Sequence, residues 1–247
     1  MGAAGKAGGL ETAVVVAALD EEAEIGPALR ALRAAGFSAS SLWVADGGSR
    51  DATRRLARAG GARVVRCPAG RGTQFRRAAR RAAESRPDVL LFLHADCRVR
   101  PGTRAALEAA FRDPSLRYAC FRPRIGSPKP VYRLLETLID FRTRATRVPY
   151  GDLGLAVRRR DYFRAGGYPD WPLFEEIRLA ARLRRGGGFR RLDLPLWTSA
   201  RRWRKEGLVF ATLRNWTLML GYLLGFPPAA LAAAYRPAST RLRGKPA

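Results

Sequence analysis

Four short runs, residues 12–19, 42–45, 63–66 and 89–93, punctuate the N-terminal part of the chain, and most end abruptly in charged or polar side chains. The unbroken apolar runs 12–19 and 89–93, next to turn or charged residues, predict strands buried on both faces, as in a parallel sheet, and 42–45 and 63–66 two further strands. Between them the pattern changes to helical spacing. Ile25, Leu29 and Leu32 precede a stop at Gly36, a second helix runs to Gly60, and Gly70-Arg71-Gly72 opens a long basic helix reaching Ser85. Strands alternating with helices predict an α/β fold with right-handed crossovers: a mostly parallel central sheet flanked by helices.

After Pro101 the alternation fades. The pattern there predicts a helix to Arg112, an extended segment over 116–122, a helix over 131–146, a loop over 150–154 followed by the apolar triplet Leu155-Ala156-Val157, and a helix over 175–185 stopped by Gly186-Gly187-Gly188. No repeat or linker interrupts the chain, so residues 1–247 read as one domain, with 1–11 a Gly- and Ala-rich disordered tail. Residues 206–235 form an apolar C-terminal region. Leu208, Leu213, Met219, Leu220, Leu223 and Leu224 there are expected first to face the core, and second to lie in a membrane interface, which Trp216, Tyr222 and the basic Arg201–Lys205 run favour. A transmembrane span ranks third, because Arg214 near its middle would cost about 2.5–3.5 kcal/mol.

Composition sharpens this picture. A hydrophobic content of 47% in 247 residues is that of a globular protein able to bury a full core. The net charge of +25 is carried by 42 Arg and only 4 Lys, a skew that codon bias can produce. It still favours anionic partners: nucleotide diphosphates, acidic membrane surfaces or nucleic acid. Cys67, Cys97 and Cys120 have no metal-binding or disulfide-framework spacing and read as reduced thiols, and the N-terminus has no apolar core of a signal peptide. The expected location is cytoplasmic, at most peripheral at a membrane.

The acids fall at predicted strand ends: Asp20, Glu21 and Glu22 after the first, Asp46 after the second, His94 and Asp96 after the fourth. Ligands of open α/β sheets bind beyond the carboxyl ends of strands. Carboxylates there suit ribose or base hydrogen bonds and a hard divalent ion that shares oxygens with a diphosphate. Gly70 and Arg71 add backbone N–H groups and a guanidinium for phosphate. Taken singly, each acid is more often a helix cap, Asp51 in particular, and His94 is equally a core histidine.

The ordered motifs Ala18-Leu19-Asp20-Glu21-Glu22, Val44-Ala45-Asp46-Gly47-Gly48-Ser49-Arg50-Asp51, Leu93-His94-Ala95-Asp96, Pro149-Tyr150-Gly151-Asp152, Phe174-Glu175-Glu176 and Thr198-Ser199-Ala200-Arg201-Arg202-Trp203 resemble the family 2 glycosyltransferases of GT-A fold. Within it they are most similar to a small bacterial subfamily named for its association with radical-SAM and selenium-domain proteins. The resemblance implies transfer of a sugar, with inversion, from a nucleotide-diphosphate donor. It places Asp20, Glu22 and Asp46 near the nucleoside, and Asp96 with His94 on Mg²⁺ or Mn²⁺. Gly151 and Asp152 fall on the acceptor side, Glu176 becomes the general base, and Arg202 with Trp203 lies near acceptor and diphosphate. The acceptor is unspecified, a lipid-like one fitting the C-terminal region, and no specific nucleic acid is expected.

The chain departs from the family pattern at several points. His94 replaces an aspartate, Asp20 an asparagine, Glu176 an aspartate, Leu153 a common glutamine, and Arg76-Arg77 stands for Asn-Ala. The extra methylene of Glu176 shifts the carboxylate by about an ångström or more, enough to disturb an in-line base. Alternatives therefore stay open: a catalytically degenerate nucleotide-sugar binder, a nucleotidyltransferase on a related sheet, or a polyanion binder using Arg71–Arg81.

Overall fold

The computed structural model describes residues 9–235, apart from the Arg202 side chain, so most of the expected tail lies outside the described residues. In chain order the elements are β1 (Thr12–Ala18), α1 (Glu22–Ala34), β2 (Leu42–Asp46), α2 (Thr53–Ala59), β3 (Arg63–Arg66), α3 (Arg71–Ala83), β4 (Val89–His94), β5 (Cys97–Arg98) and α4 (Thr103–Phe111). There follow β6 (Tyr118–Ile125), α5 (Pro130–Thr146), β7 (Leu155–Arg158), α6 (Arg159–Arg164), α7 (Glu175–Arg184), β8 (Phe189–Thr198), α8 (Arg201–Glu206), α9 (Leu208–Leu223) and α10 (Pro228–Ala234).

The eight strands form one sheet in the order β3-β2-β1-β4-β7-β6-β8-β5. The N-terminal half, β3-β2-β1-β4, is parallel, as the unbroken apolar runs of β1 and β4 predict, with the partly exposed Arg-Val-Val-Arg strand β3 at its edge. The sheet as a whole is mixed. β7 runs antiparallel to both β4 and β6, and β5 antiparallel to β8, while β6 and β8 are parallel to each other. β8 has no apolar run to announce it, since Arg190, Arg191, Asp193 and Pro195 interrupt its pattern, and its pairing with β6 carries a register shift between Cys120 and Arg122.

Residues of β1 alternate between two cores. Val14 and Val16 pack with Ile25, Leu29 and Leu107 on one face, and Val15 packs with Phe75, Ala78, Ala82 and Leu179 on the other. α3 buries Phe75, Ala78, Ala79 and Ala82 and turns Arg77, Arg80 and Arg81 to solvent. Strand order reverses at β1, which has β2 on one side and β4 on the other. This opens a crevice at the carboxyl ends of these strands, where the motif acids collect.

The C-terminal region corrects one expectation. Leu213, Leu220, Leu223 and Leu224 face solvent, and only Leu208 and Met219 of the expected core set are partly buried. The inward stripe of α9 is Ala211, Arg214 and Leu218, spaced by three and four residues. Arg214 faces inward because its charge is met there: Glu206 accepts from its Nη2 at 2.6 Å and the Tyr235 ring lies 4.5 Å from its guanidinium. A paired, stacked guanidinium is compatible with burial, and it turns the leucines outward. No described helix is long and apolar enough to cross a membrane.

Candidate functional site

The site begins with the loop after β2. Asp46 is fully buried, and its carboxylate accepts the backbone N–H groups of Gly48 and Ser49 at 3.2 and 3.3 Å, with Arg54 3.8 Å away. The Asp20 carboxylate accepts from Arg50 N–H at 2.8 Å, and the Ser49 hydroxyl accepts from Asp20 N–H at 3.0 Å. Glu22 and Asp51 reciprocate: Asp51 accepts Glu22 N–H, and Glu22 accepts Ala52 N–H, both at 3.0 Å. Asp51 also accepts Thr53 N–H at 2.9 Å, so it takes the first N–H of both α1 and α2 from outside the N-cap positions, which Glu21 and Ala52 occupy, and is not itself the cap its sequence position predicts. Three residues expected near the nucleoside, Asp20, Glu22 and Asp46, thus share the task of fixing the loop after β2.

Underneath lies a residue the sequence reading passed over. Gln74 on α3 is buried, and its amide donates to the carbonyls of Ala18 and Ala45, both at 2.8 Å. It clamps the carboxyl ends of β1 and β2 together at the crevice floor. A lone amide within the apolar stripe Phe75, Ala78, Ala82 was the available signal. Gly70, at φ +127°, is the N-cap of the helix that carries it.

His94 and Asp96 leave the end of β4 half-buried. The His94 ring lies 5.5 Å from that of Phe75, and Gly151 approaches it closely: a Cβ at Gly151 would come within 2.6 Å of His94 Nε2. Glycine is required there by close approach. Asp96 stands in a small charged group with Glu21 and Arg201. Arg201 Nη2 donates to both Glu21 oxygens at 3.1 Å, tying α8 to the start of α1. Burial raises the Glu21 carboxyl above its usual range against the opposing charge of Arg201, and the charge of Asp96 adds to the rise. Asp152 acts on the same neighbourhood, since Cys97 is pushed up by burial first and then by Asp96, with Asp152 contributing.

The acid pair Glu175-Glu176 opens α7, behind Phe174 in the left-handed region at φ 62°. Glu175 is only 2% exposed and forms an ion pair with Arg71, whose Nε lies 2.9 Å from its Oε1. Arg71 is therefore engaged with the acid pair, a role its place in the Gly70-Arg71-Gly72 turn did not announce. Burial, then repulsion from Glu176, push Glu175 up to about 8 against the pull of Arg71. Glu175 Oε2 and Glu176 Oε2 are both buried without a hydrogen-bond partner among the described residues. A proton on Glu175 directed at Glu176 satisfies both oxygens at once. Glu176 and Asp152 both act on Tyr150, whose phenol is raised by burial and by these two acids against the charge of Arg142, so the acid pair and the loop at 150–152 face a common region.

Trp203 packs with Tyr132, ring centroids 5.9 Å apart, in a cluster with Ile125 and Ala200, which gives it a packing role. The side chain of Arg202 lies outside the described residues. Among those residues no three His, Cys, Asp or Glu side chains cluster to hold a metal by themselves. Mg²⁺ bound through one or two carboxylates and a substrate diphosphate needs no such cluster, and a half-buried strand-end carboxylate such as Asp96 fits that donor set.

Solved structures with this architecture include glucosyl-3-phosphoglycerate synthase from Mycobacterium tuberculosis in complex with Mn²⁺, UDP and glucosyl-3-phosphoglycerate. It is 22% identical, with a TM-score of 0.56, over 76% of this chain and 71% of that one. The same enzyme with Mg²⁺ and UDP gives a TM-score of 0.55 at 22% identity, over 76% and 70%. S. aureus TarS 1–349 with UDP-GlcNAc gives 0.60 at 14% identity, over 77% of this chain and 58% of that one. At these identities the likeness is one of fold. Comparison with curated proteins gives no match. Residues 13–167, more than half of the chain, match the model of glycosyl transferase family 2, the broad family and not the narrower bacterial subfamily, and the protein belongs to that family.

Proposed function

We propose that the protein transfers a sugar from a nucleotide-diphosphate donor to an acceptor hydroxyl, with inversion at the anomeric carbon. One observation carries this reading: Asp96, the Glu21–Arg201 pair and the loop locked by Asp20, Glu22 and Asp46 meet at the strand-order reversal of a family 2 chain. The nucleoside lies along that loop, within reach of the exposed Asp20 and Glu22, while the buried Asp46 acts from beneath by holding the loop's shape. Asp96, with His94 beside it, would hold a Mg²⁺ or Mn²⁺ ion together with the diphosphate. When bound, such an ion supplies Lewis-acid neutralisation of the leaving group.

The chain's own residues do the rest. Glu176 accepts the proton of the acceptor hydroxyl as its oxygen bonds to the anomeric carbon and the bond to the diphosphate breaks. Glu175, held by Arg71, positions the Glu176 carboxyl. Asp152 and Gly151 line the acceptor side, and the donors bound by the structural neighbours make UDP-sugars the first to try. The test is release of nucleoside diphosphate from a panel of UDP- and GDP-sugars in the presence of Mn²⁺. Asp96→Asn and Glu176→Gln are each expected to abolish release while melting as the wild type does; wild-type turnover in either variant removes the assignment.

A further inference from the structure

Two helices expose apolar stripes that no described residue covers. On α5 these are Val131, Leu134, Leu138 and Phe141, spaced by three, four and three residues and 43–72% exposed. On α9 they are Val209, Leu213, Trp216, Leu220 and Leu223, spaced by four, three, four and three and 57–73% exposed. Both spacings put the residues of each helix on a single face. The helices are joined at their inner sides. The Arg142 guanidinium of α5 sits 3.4 Å over the Tyr150 ring, and Tyr150 Oη reaches Met219 Sδ of α9 at 3.7 Å. Tyr132 of α5 also packs with Trp203 and Leu208, at the start of α9.

Charge identifies the occupant. Every acid on α5, α8 and α9 is paired with arginine: Glu136 with Arg124 and Arg133, Asp140 with Arg144 and Arg191, Glu206 with Arg214. Lys129, Arg147, Arg204 and Lys205 are exposed at the ends of these helices. The surface is thus apolar with a basic rim and no uncompensated acid, on a chain of net charge +25. A second copy would bring the same basic rim against itself, which like-charge repulsion disfavours. An anionic lipid surface complements both features, with leucines and an exposed tryptophan at the acyl boundary and cations at the headgroups.

We infer that the α5 and α9 faces form a peripheral docking surface for an anionic bilayer, with the Tyr150 loop seated between the two helices. This inference does not depend on the proposed sugar transfer, and its test requires no turnover. The full chain is floated with vesicles of phosphatidylcholine alone or of phosphatidylcholine with phosphatidylglycerol. Two variant sets are compared, Leu213→Gln/Trp216→Gln/Leu220→Gln and Leu134→Gln/Phe141→Gln, with far-UV circular dichroism and thermal melts confirming the fold, which such exposed side chains leave intact.

The wild type is expected to float with the phosphatidylglycerol vesicles, and each variant set to lower partitioning by roughly tenfold or more, since buried apolar area and anionic lipid both drive interfacial binding. Arg204→Glu/Lys205→Glu is expected to weaken binding to the anionic vesicles as well. Failure of the wild type to float overturns the inference. So does binding unmoved by the apolar substitutions, which marks plain electrostatic adsorption. A stable dimer in light scattering that the same substitutions dissociate, with no flotation, assigns the faces to a second copy instead.

Discussion

Replacing Glu175 by Gln removes a buried titrating group while keeping an oxygen for Arg71. In the folded protein burial and Glu176 raise the Glu175 carboxyl from 4.5 to about 8, so the native state holds its proton more tightly than the unfolded chain does. The stability this confers is fully present below pH 4.5 and is lost as pH rises through about 8. At about 1.4 kcal/mol per pH unit the shift corresponds to a few kcal/mol, roughly 2–5 once the coupling to Glu176 is included. For a chain of this length that is roughly 5–15 °C in melting temperature. Thermal melts of wild type and Glu175→Gln at pH 5, 6.5 and 8.5 are expected to lie close together at pH 5 and to separate by that amount at pH 8.5, the variant being the more stable. A difference that stays constant with pH, or that reverses sign, refutes a raised Glu175.

Three further outcomes follow from other contacts. Gln74→Leu leaves the carbonyls of Ala18 and Ala45 without their donor, and urea unfolding should show a loss of about 2–4 kcal/mol. Gly151→Ala drives a Cβ into His94 and is expected to weaken Mn²⁺-dependent nucleotide binding at unchanged fold, read by calorimetry and circular dichroism. Glu206→Ala strands Arg214 on the inner face of α9 and should cost about 3–5 kcal/mol in the same urea assay.

The parallel half of the fold was legible because β1, β2 and β4 are continuous apolar runs ended by charge, the signature of strands covered on both faces. The C-terminal half was less so. β8 pairs on the strength of its neighbours, β6 and β5, and its own Arg-, Asp- and Pro-containing pattern conceals it. The helix over 175–185 was found almost residue for residue, yet the pairing of its first acid with Arg71 joins positions far apart in sequence that periodicity cannot connect. The motif acids were located correctly at strand ends, but their backbone work was hidden. That Asp46 holds the N–H groups of its own loop emerges only once the chain turns back on it. In the C-terminal region, hydrophobicity alone pointed the leucines inward, and a single ion pair, Arg214 with Glu206, decided the rotation of α9.

The most direct test of the account is calorimetric titration of UDP and GDP into the full chain, with and without Mn²⁺, on wild type and Asp96→Asn. The account predicts that one of the two nucleotides binds only with Mn²⁺ and that Asp96→Asn loses this binding with its fold intact. Absence of binding by either nucleotide, or metal-dependent binding that survives Asp96→Asn, would contradict it.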